Sequence, residues 1–289
     1  MKALITGAGG QVGRALAACA PAGVELILAT HADLDISNEE AVRATIKSAA
    51  PDLIINAAAY TAVDRAESEP TLARRVNTDG PRFLAQAARE NGIRLLHIST
   101  NFVFDGTSSL PYRPDAPTAP LNVYGKTKRD GELAVLEVMG SHAAVVRTSW
   151  VYAATGRNFV RTMLRLMWEQ RSVHVISDQI GTPTAAHSIA KTLWEIARRT
   201  DAWGIYHWTD SGVASWYDFA VAIAEEAASL GLIPADVVVE PITTAEYPTA
   251  ALRPAYSVLD KQRLLALGIA PPVHWRKNLR KVLGELVRG

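Results

Sequence analysis

Two spacings of apolar residues alternate along the first half of the chain. Continuous apolar runs at 3–6, 24–29, 53–57, 94–99 and 143–149 are too short for stable helices, and they lack the polar alternation of a strand with one wet face. They read as strands buried on both sides. Between them, residues 12–19, 38–49, 72–90 and 126–138 repeat their apolar positions at the helical period. Ser37 and Glu40 have the spacing of a capping box ahead of the second of these helices. Asn91-Gly92 offers a left-handed stop after the third. Short buried strands alternating with helices predict an α/β fold built on a doubly wound parallel sheet.

Beyond about residue 150 the alternation loosens. Helices are predicted at 159–169, 185–199 and 216–230, strands at 173–176 and 204–208, with joints at Pro234, Pro241, Pro248 and Pro254. Residues 274–287 read as a basic amphipathic helix whose charged face is solvated. The pattern predicts a nucleotide-binding domain over 1–150 and a smaller, mainly substrate-binding domain over 151–289, with the helix at 185–200 returning to cover the first.

Composition narrows the function. The chain has 289 residues with 30 basic and 29 acidic side chains, a balance unlike the strongly basic footprint of a nucleic-acid binder. The single cysteine, Cys19, makes neither an intrachain disulfide nor a thiolate zinc site. No run approaches the roughly 18 apolar residues of a membrane span. Met1 leads into a strand-like stretch without the layout of a secretory signal, so a cytoplasmic protein with no membrane partner is expected.

The first strand ends in Thr6-Gly7-Ala8-Gly9-Gly10-Gln11-Val12-Gly13 and a helix follows at once. Gly7, Gly10 and Gly13 suit a tight turn, a close approach of backbone to pyrophosphate, and helix-on-strand packing, in the manner of a Rossmann dinucleotide site. No acid closes the second strand at Ala29-Thr30-His31 to receive a ribose 2′-hydroxyl, and Arg14 stands near enough for a 2′-phosphate, which favours NADPH over NADH. Asp35-Ile36 lies where adenine would be held, or is an ordinary turn into a helix.

Tyr124 and Lys128 are one helical turn apart on one face, in Tyr124-Gly125-Lys126-Thr127-Lys128. An ammonium beside a phenol favours its ionised form, bringing it toward useful acid–base chemistry. The fourth strand ends in Ser99-Thr100, where open α/β sheets place ligand contacts. A hydroxyl, a phenol and an ammonium beside a nicotinamide make a carbonyl-reducing site. Tyr124 would protonate the developing alkoxide, Thr100 would hydrogen-bond the same oxygen, and Lys128 would hold the ribose. His97 and His207 read as structural, and Trp203, Tyr206, Trp208, Trp216 and Tyr217 as core or as the floor of a nucleotide pocket.

Together these features resemble the extended short-chain dehydrogenase/reductase superfamily. The stretches Asn56-Ala57-Ala58-Ala59-Tyr60-Thr61-Ala62-Val63-Asp64, Ser99-Thr100-Asn101-Phe102-Val103-Phe104-Asp105-Gly106, Arg147-Thr148-Ser149-Trp150-Val151-Tyr152, Asp178-Gln179-Ile180-Gly181-Thr182-Pro183-Thr184 and Arg253-Pro254-Ala255-Tyr256-Ser257 are similar to the dTDP-4-dehydrorhamnose reductases over nearly the whole chain. The resemblance implies reduction of the C4 ketone of a dTDP-linked keto-sugar with NADPH, or NADH. It places Gly10, Gln11, Val12, Asp35, Ile36, Ala59, Tyr60 and Thr61 at the cofactor, with Tyr124 and Lys128 shared with catalysis. Thr100, Asn101 and Trp150 fall at the sugar, and Asn158 and Arg253 at the diphosphate. Members commonly carry aspartate where this chain has Asn101. Some place magnesium between subunits with three glutamates, but Ala15 and His187 stand at two of those positions beside Glu285, which argues against magnesium and against a homodimer formed through it. Other nucleotide-sugar 4-ketoreductases, and a non-catalytic relative such as the regulatory β subunit of methionine adenosyltransferase, share the same pattern.

Overall fold

The computed structural model describes residues 1–288. Its first half runs β1 (Lys2–Thr6), α1 (Gln11–Ala18), β2 (Glu25–Ala29), α2 (Glu39–Ala49), β3 (Leu53–Asn56), α3 (Val63–Ser68), α4 (Pro70–Arg74), a π-helical turn at Arg75–Asp79, α5 (Gly80–Glu90), β4 (Arg94–Thr100), α6 (Val123–Met139) and β5 (Ala143–Thr148). The second half runs β6 (Val151–Tyr152), α7 (Phe159–Glu169), β7 (Ser172–Ile176), β8 (Ile180–Gly181), β9 (Thr184–Ala185), α8 (Ala186–Ala197), β10 (Gly204–His207), β11 (Ala214–Ser215), α9 (Trp216–Ser229), β12 (Val238–Ile242), α10 (Gln262–Leu265) and α11 (Trp275–Arg288).

Six parallel strands form the main sheet in the order β10-β5-β4-β3-β1-β2. Alternate residues of the strands face opposite helical layers, which is why their sequences are apolar throughout. Ile5, Ile55 and Leu96 pack with Leu16 of α1 and Leu193 of α8. Leu4, Ile54 and Leu95 face α2, α5 and α6. The edge strand β2 departs from this pattern, with Leu28 exposed. The sixth strand comes from residues 204–207, beyond the expected domain boundary. It follows α8, whose Trp194 indole donates to the Leu16 carbonyl at 3.0 Å across the first layer.

A second core lies among α7, α9 and α11, around Met163, Phe219, Ile223, Leu279 and Leu283. The strands β7 and β12 pair in parallel beside it. Helix α11 is basic and amphipathic, but its role is to seal this core. Leu279, Val282 and Leu283 are buried, while Arg276 and Arg280 reach across to Glu226 of α9. The second helix is capped differently from the expected Ser37–Glu40 box. Asn38 Oδ1 accepts the Ala41 N–H at 3.1 Å, because the chain turns helical one residue later than the pattern implies.

Leu279→Ala is expected to cost about 2–5 kcal/mol in urea unfolding, as for a buried leucine truncated in a packed core. A helix lying free on the surface would change by no more than about 0.5 kcal/mol.

Candidate active site

The C-terminal ends of β1, β3, β4 and β5 open on one side of the sheet. The chain leaves β1 for β2 in one direction and returns to β3 in the other, which makes a crevice between β1 and β3. The glycine loop fills the rim of that crevice. Gly7 is left-handed at φ +66°, and a methyl there would sit 2.6 Å from the Ala58 nitrogen. A methyl on Gly13 would run into the Gly7 carbonyl, so this glycine lets α1 lie close to β1. Gly9 and Gly10 are exposed, and α1 begins at Gly10 with no side chain capping its first N–H groups and no acid in its first turn. A cradle of backbone donors at a helix N-terminus fits a dinucleotide pyrophosphate.

The other expected cofactor residues lie on several segments. Ala59, Tyr60 and Thr61 follow β3 and border the crevice. The Tyr60 hydroxyl donates to Glu69 at 2.5 Å. Asp35 turns back to accept the Ser37 N–H at 2.9 Å, and Ile36 is buried against Gly80. Val12 packs against the core below α1. The Arg14 guanidinium donates to the Gly9 carbonyl at 2.9 Å and so braces the loop itself. Asp33, two residues past Ala29-Thr30-His31, has a carboxylate that accepts from both the Thr30 N–H and hydroxyl at 2.9 and 2.6 Å. Those bonds turn its Oδ2 toward Thr30.

Helix α6 carries Tyr124 and Lys128 to the end of β4. Asn122 caps it by accepting the Gly125 N–H at 2.8 Å, and its amide donates to the Leu252 carbonyl at 2.7 Å. Any side chain at Gly125 would collide with the Phe102 carbonyl in the turn after β4, and one at Gly131 would collide with the Asn77 carbonyl in the π-helical turn. This close approach brings the Tyr124 phenol beside Thr100, with the Phe102 ring edge-on at 5.6 Å. Burial raises the phenol above its ordinary range, and Thr100 opposes that rise. Lys128, one turn further along α6, donates from its Nζ to the Ile98 carbonyl at 2.7 Å, and burial lowers its own ionisation to about 8.

Beyond Thr100, the other four residues assigned to the substrate divide. Asn101 follows Thr100 and is buried; its Oδ1 accepts from the Thr100 hydroxyl at 3.2 Å, and its Nδ2 has no partner. Trp150 lies just past β5 with φ +47°, a strained conformation for a bulky residue, and stacks on Trp216 at 3.6 Å. Asn158 is already engaged: its Oδ1 caps α7 through the Arg161 N–H, and its Nδ2 donates to Gln11 Oε1 and the Ala153 carbonyl, each at 2.9 Å. Arg253 forms a two-pronged ion pair with Asp64 and also donates to Thr249. These bonds tie the 249–253 segment to the start of α3 and, through Asn122, to the start of α6.

The family described as RmlD substrate binding domain matches residues 1–288. The chain belongs to this family. A dTDP-4-dehydrorhamnose reductase of Aggregatibacter actinomycetemcomitans is 43% identical, over 96% of this chain and 97% of that one. A crystal structure of a dTDP-4-dehydrorhamnose reductase from Clostridium acetobutylicum superposes with a TM-score of 0.93 at 38% identity, covering 99% of both chains. The Bacillus anthracis dTDP-4-dehydrorhamnose reductase in complex with NADP gives 0.93 at 35% identity, covering 98% of this chain and 99% of that one.

Within this RmlD-family site, sequence reading overlooked Asn77. Its Oδ1 accepts the Tyr60 N–H at 2.8 Å, and its Nδ2 donates to the Tyr60 carbonyl at 3.0 Å and to Thr127 Oγ1 at 3.2 Å. One amide thus locks the loop at Tyr60 to α6. The signal was a π-helical turn, which no periodicity of apolar residues announces. At the positions linked to magnesium in some members, Ala15 lies in α1, His187 in α8 against Asn278 at 3.3 Å, and Glu285 in α11. Among the described residues no three His, Cys, Asp or Glu side chains gather to hold a metal, and no helix is long and apolar enough to cross a membrane.

Asn77→Ala should lower unfolding stability by about 1–3 kcal/mol, the cost of leaving buried polar partners unpaired. A urea series measures this, and a change under about 0.5 kcal/mol would show that the amide is not a structural clamp.

Proposed function

We propose that this chain reduces the C4 ketone of dTDP-4-dehydro-L-rhamnose to dTDP-L-rhamnose, with NADPH as reductant. The observation that carries the reading is the meeting of Thr100, Tyr124 and Lys128 at the end of β4, beside an open glycine loop, in a chain of this family.

NADPH, when bound, supplies the hydride for the ketone carbon. Gly10, Gln11 and the first N–H groups of α1 would receive its pyrophosphate, and Ala59, Tyr60 and Thr61 would line its path along the crevice. The Tyr124 phenol donates its proton to the C4 oxygen as negative charge develops there. Its raised ionisation means that the phenol is fully protonated at neutral pH, which suits an acid that must arrive loaded. Thr100 donates a hydrogen bond to the same oxygen and stabilises the charge before the proton arrives. The Lys128 ammonium holds the ribose hydroxyls and lowers the cost of the phenolate left behind. Trp150 and Asn101 border the sugar. Asn158 and Arg253 act on the diphosphate end indirectly, by fixing Gln11 and the 249–253 segment.

Tyr124→Phe is expected to lower kcat at least about 100-fold, the usual scale of a lost general acid. Thr100→Val should lower kcat while leaving NADPH affinity within about twofold, since its hydroxyl serves the substrate oxygen. Both are measured by NADPH oxidation with the keto-sugar made from dTDP-glucose by the upstream enzymes, with the product identified by NMR. Unchanged turnover in Tyr124→Phe would remove this residue as proton donor, and a product other than the rhamnose epimer would reassign the substrate.

The pH dependence has a definite sign. Lys128 is charged below about 8 and loses its proton as pH rises through that value. NADPH affinity, followed by fluorescence titration, should therefore weaken between pH 7 and 9 in the wild type. In Lys128→Met it should be weak and flat across this range.

A further inference from the structure

One buried ion pair is left unused by the proposed reaction. Glu132 and Arg147 are each no more than 2% exposed, and they meet through two parallel contacts: Arg147 Nε lies 2.9 Å from one carboxylate oxygen, and Nη2 lies 2.7 Å from the other. Glu132 is one turn beyond Lys128 on α6, as Lys128 is one turn beyond Tyr124, so the three share a helical face. Arg147 is held on every side. Its Nη1 faces the Pro114 carbonyl and His207 Nε2, both at 3.4 Å, and its guanidinium lies 5.1 Å from the Phe104 ring centre. His207 Nδ1 sits 3.0 Å from the Tyr112 carbonyl, which can only accept, so Nδ1 carries the proton and Nε2 offers Arg147 a lone pair.

A fully buried ion pair gains little stability over a well-packed apolar substitute. This one stands one helical turn from a buried ammonium. The other groups facing Lys128 cannot balance its charge. Tyr124 is a protonated phenol on the same helix. His97, opposite on β4, accepts from the Asn56 amide through Nδ1 and is kept neutral by burial and by Lys128 itself. The Ile98 carbonyl contributes only a dipole.

We propose that the Glu132 carboxylate is the counter-charge that keeps Lys128 an ammonium in the buried site, and that Arg147 is the positioning residue that fixes this carboxylate. The inference deepens the proposed role of Lys128 and rests on it only for its consequence in turnover. Burial pushes Lys128 down to about 8 while Glu132 pulls it up, which agrees with the geometry. Glu132 and Arg147 touch neither substrate nor cofactor and act through the lysine.

The test reads Lys128 directly. In protein without coenzyme, labelled with ¹³Cε-lysine and assigned with Lys128→Met, the Lys128 resonance is followed against pH. Glu132→Gln should move its midpoint down by about one unit or more, the scale of removing a nearby opposite charge. Glu132→Asp should recover at least half of that shift. Arg147→Lys, which keeps a cation but loses the two-pronged fork, should lower the melting temperature and move Lys128 by less than Glu132→Gln does. Should Glu132→Gln fail to fold with Arg147 left unpaired, Glu132→Gln/Arg147→Met removes both charges and should still lower the midpoint, by less than Glu132→Gln, which leaves the arginine cation in place. A Lys128 midpoint unchanged in the folded charge-free variants would overturn the proposal, as would an Arg147→Lys shift equal to that of Glu132→Gln, which would mark packing rather than charge. The alkaline limb of NADPH oxidation should move down with the resonance. If the resonance moves and the limb does not, the counter-charge stands and the catalytic assignment of Lys128 falls.

Discussion

The contact on which the site depends is the approach of α6 to the end of β4 and to the π-helical turn. Two positions on that helix have no room for a side chain, one against the Phe102 carbonyl and one against that of Asn77. Because Gly125 and Gly131 let backbone meet backbone there, Tyr124 comes within reach of Thr100 and Lys128 reaches the Ile98 carbonyl. Glycine in the middle of a helix costs stability relative to alanine, roughly 1 kcal/mol each. The sheet and the turn return that loss in close packing, and the polar bonds of Asn77 and Thr78 to Thr127 hold the register.

Charge inside the same helix follows from this closeness. Once α6 is pressed on the sheet, Lys128 and Glu132 lose their water together, and the Ile98 carbonyl and Arg147 become their partners. The phenol responds by staying protonated, His97 by staying neutral, and the lysine by a lowered ionisation. Arg147 comes from β5, the neighbour of β4, so one sheet orders both the reacting groups and the charges behind them.

The second half of the chain completes the crevice from outside the sheet. Asn158 at the start of α7 grips Gln11 of the glycine loop, and Arg253 grips Asp64 beyond β3. Trp150 in its left-handed conformation marks where the chain leaves the sheet, and its ring is held on Trp216 of the second core. The polar side chains of Asn158 and Arg253 hold these segments in place.

Local pattern in the sequence determined the strands and helices of the first half, the glycine loop and the Tyr124–Lys128 spacing. Each of these depends on neighbours a few residues apart, where periodicity and backbone freedom act directly. The capping residue was misread by one position, because Ser37, Asn38 and Asp35 all suit a helix start and only the traced backbone chooses among them. The amphipathic stripe of α11 was visible, but a stripe does not say whether solvent or a second core covers it. Tertiary structure alone decided that Lys128 donates to the Ile98 carbonyl, that Asn77 clamps Tyr60, and that Arg147 stands behind Glu132. Those partners are distant in sequence except along α6 itself. Burial, which sets their ionisation, belongs to the packed molecule and has no counterpart in the order of residues.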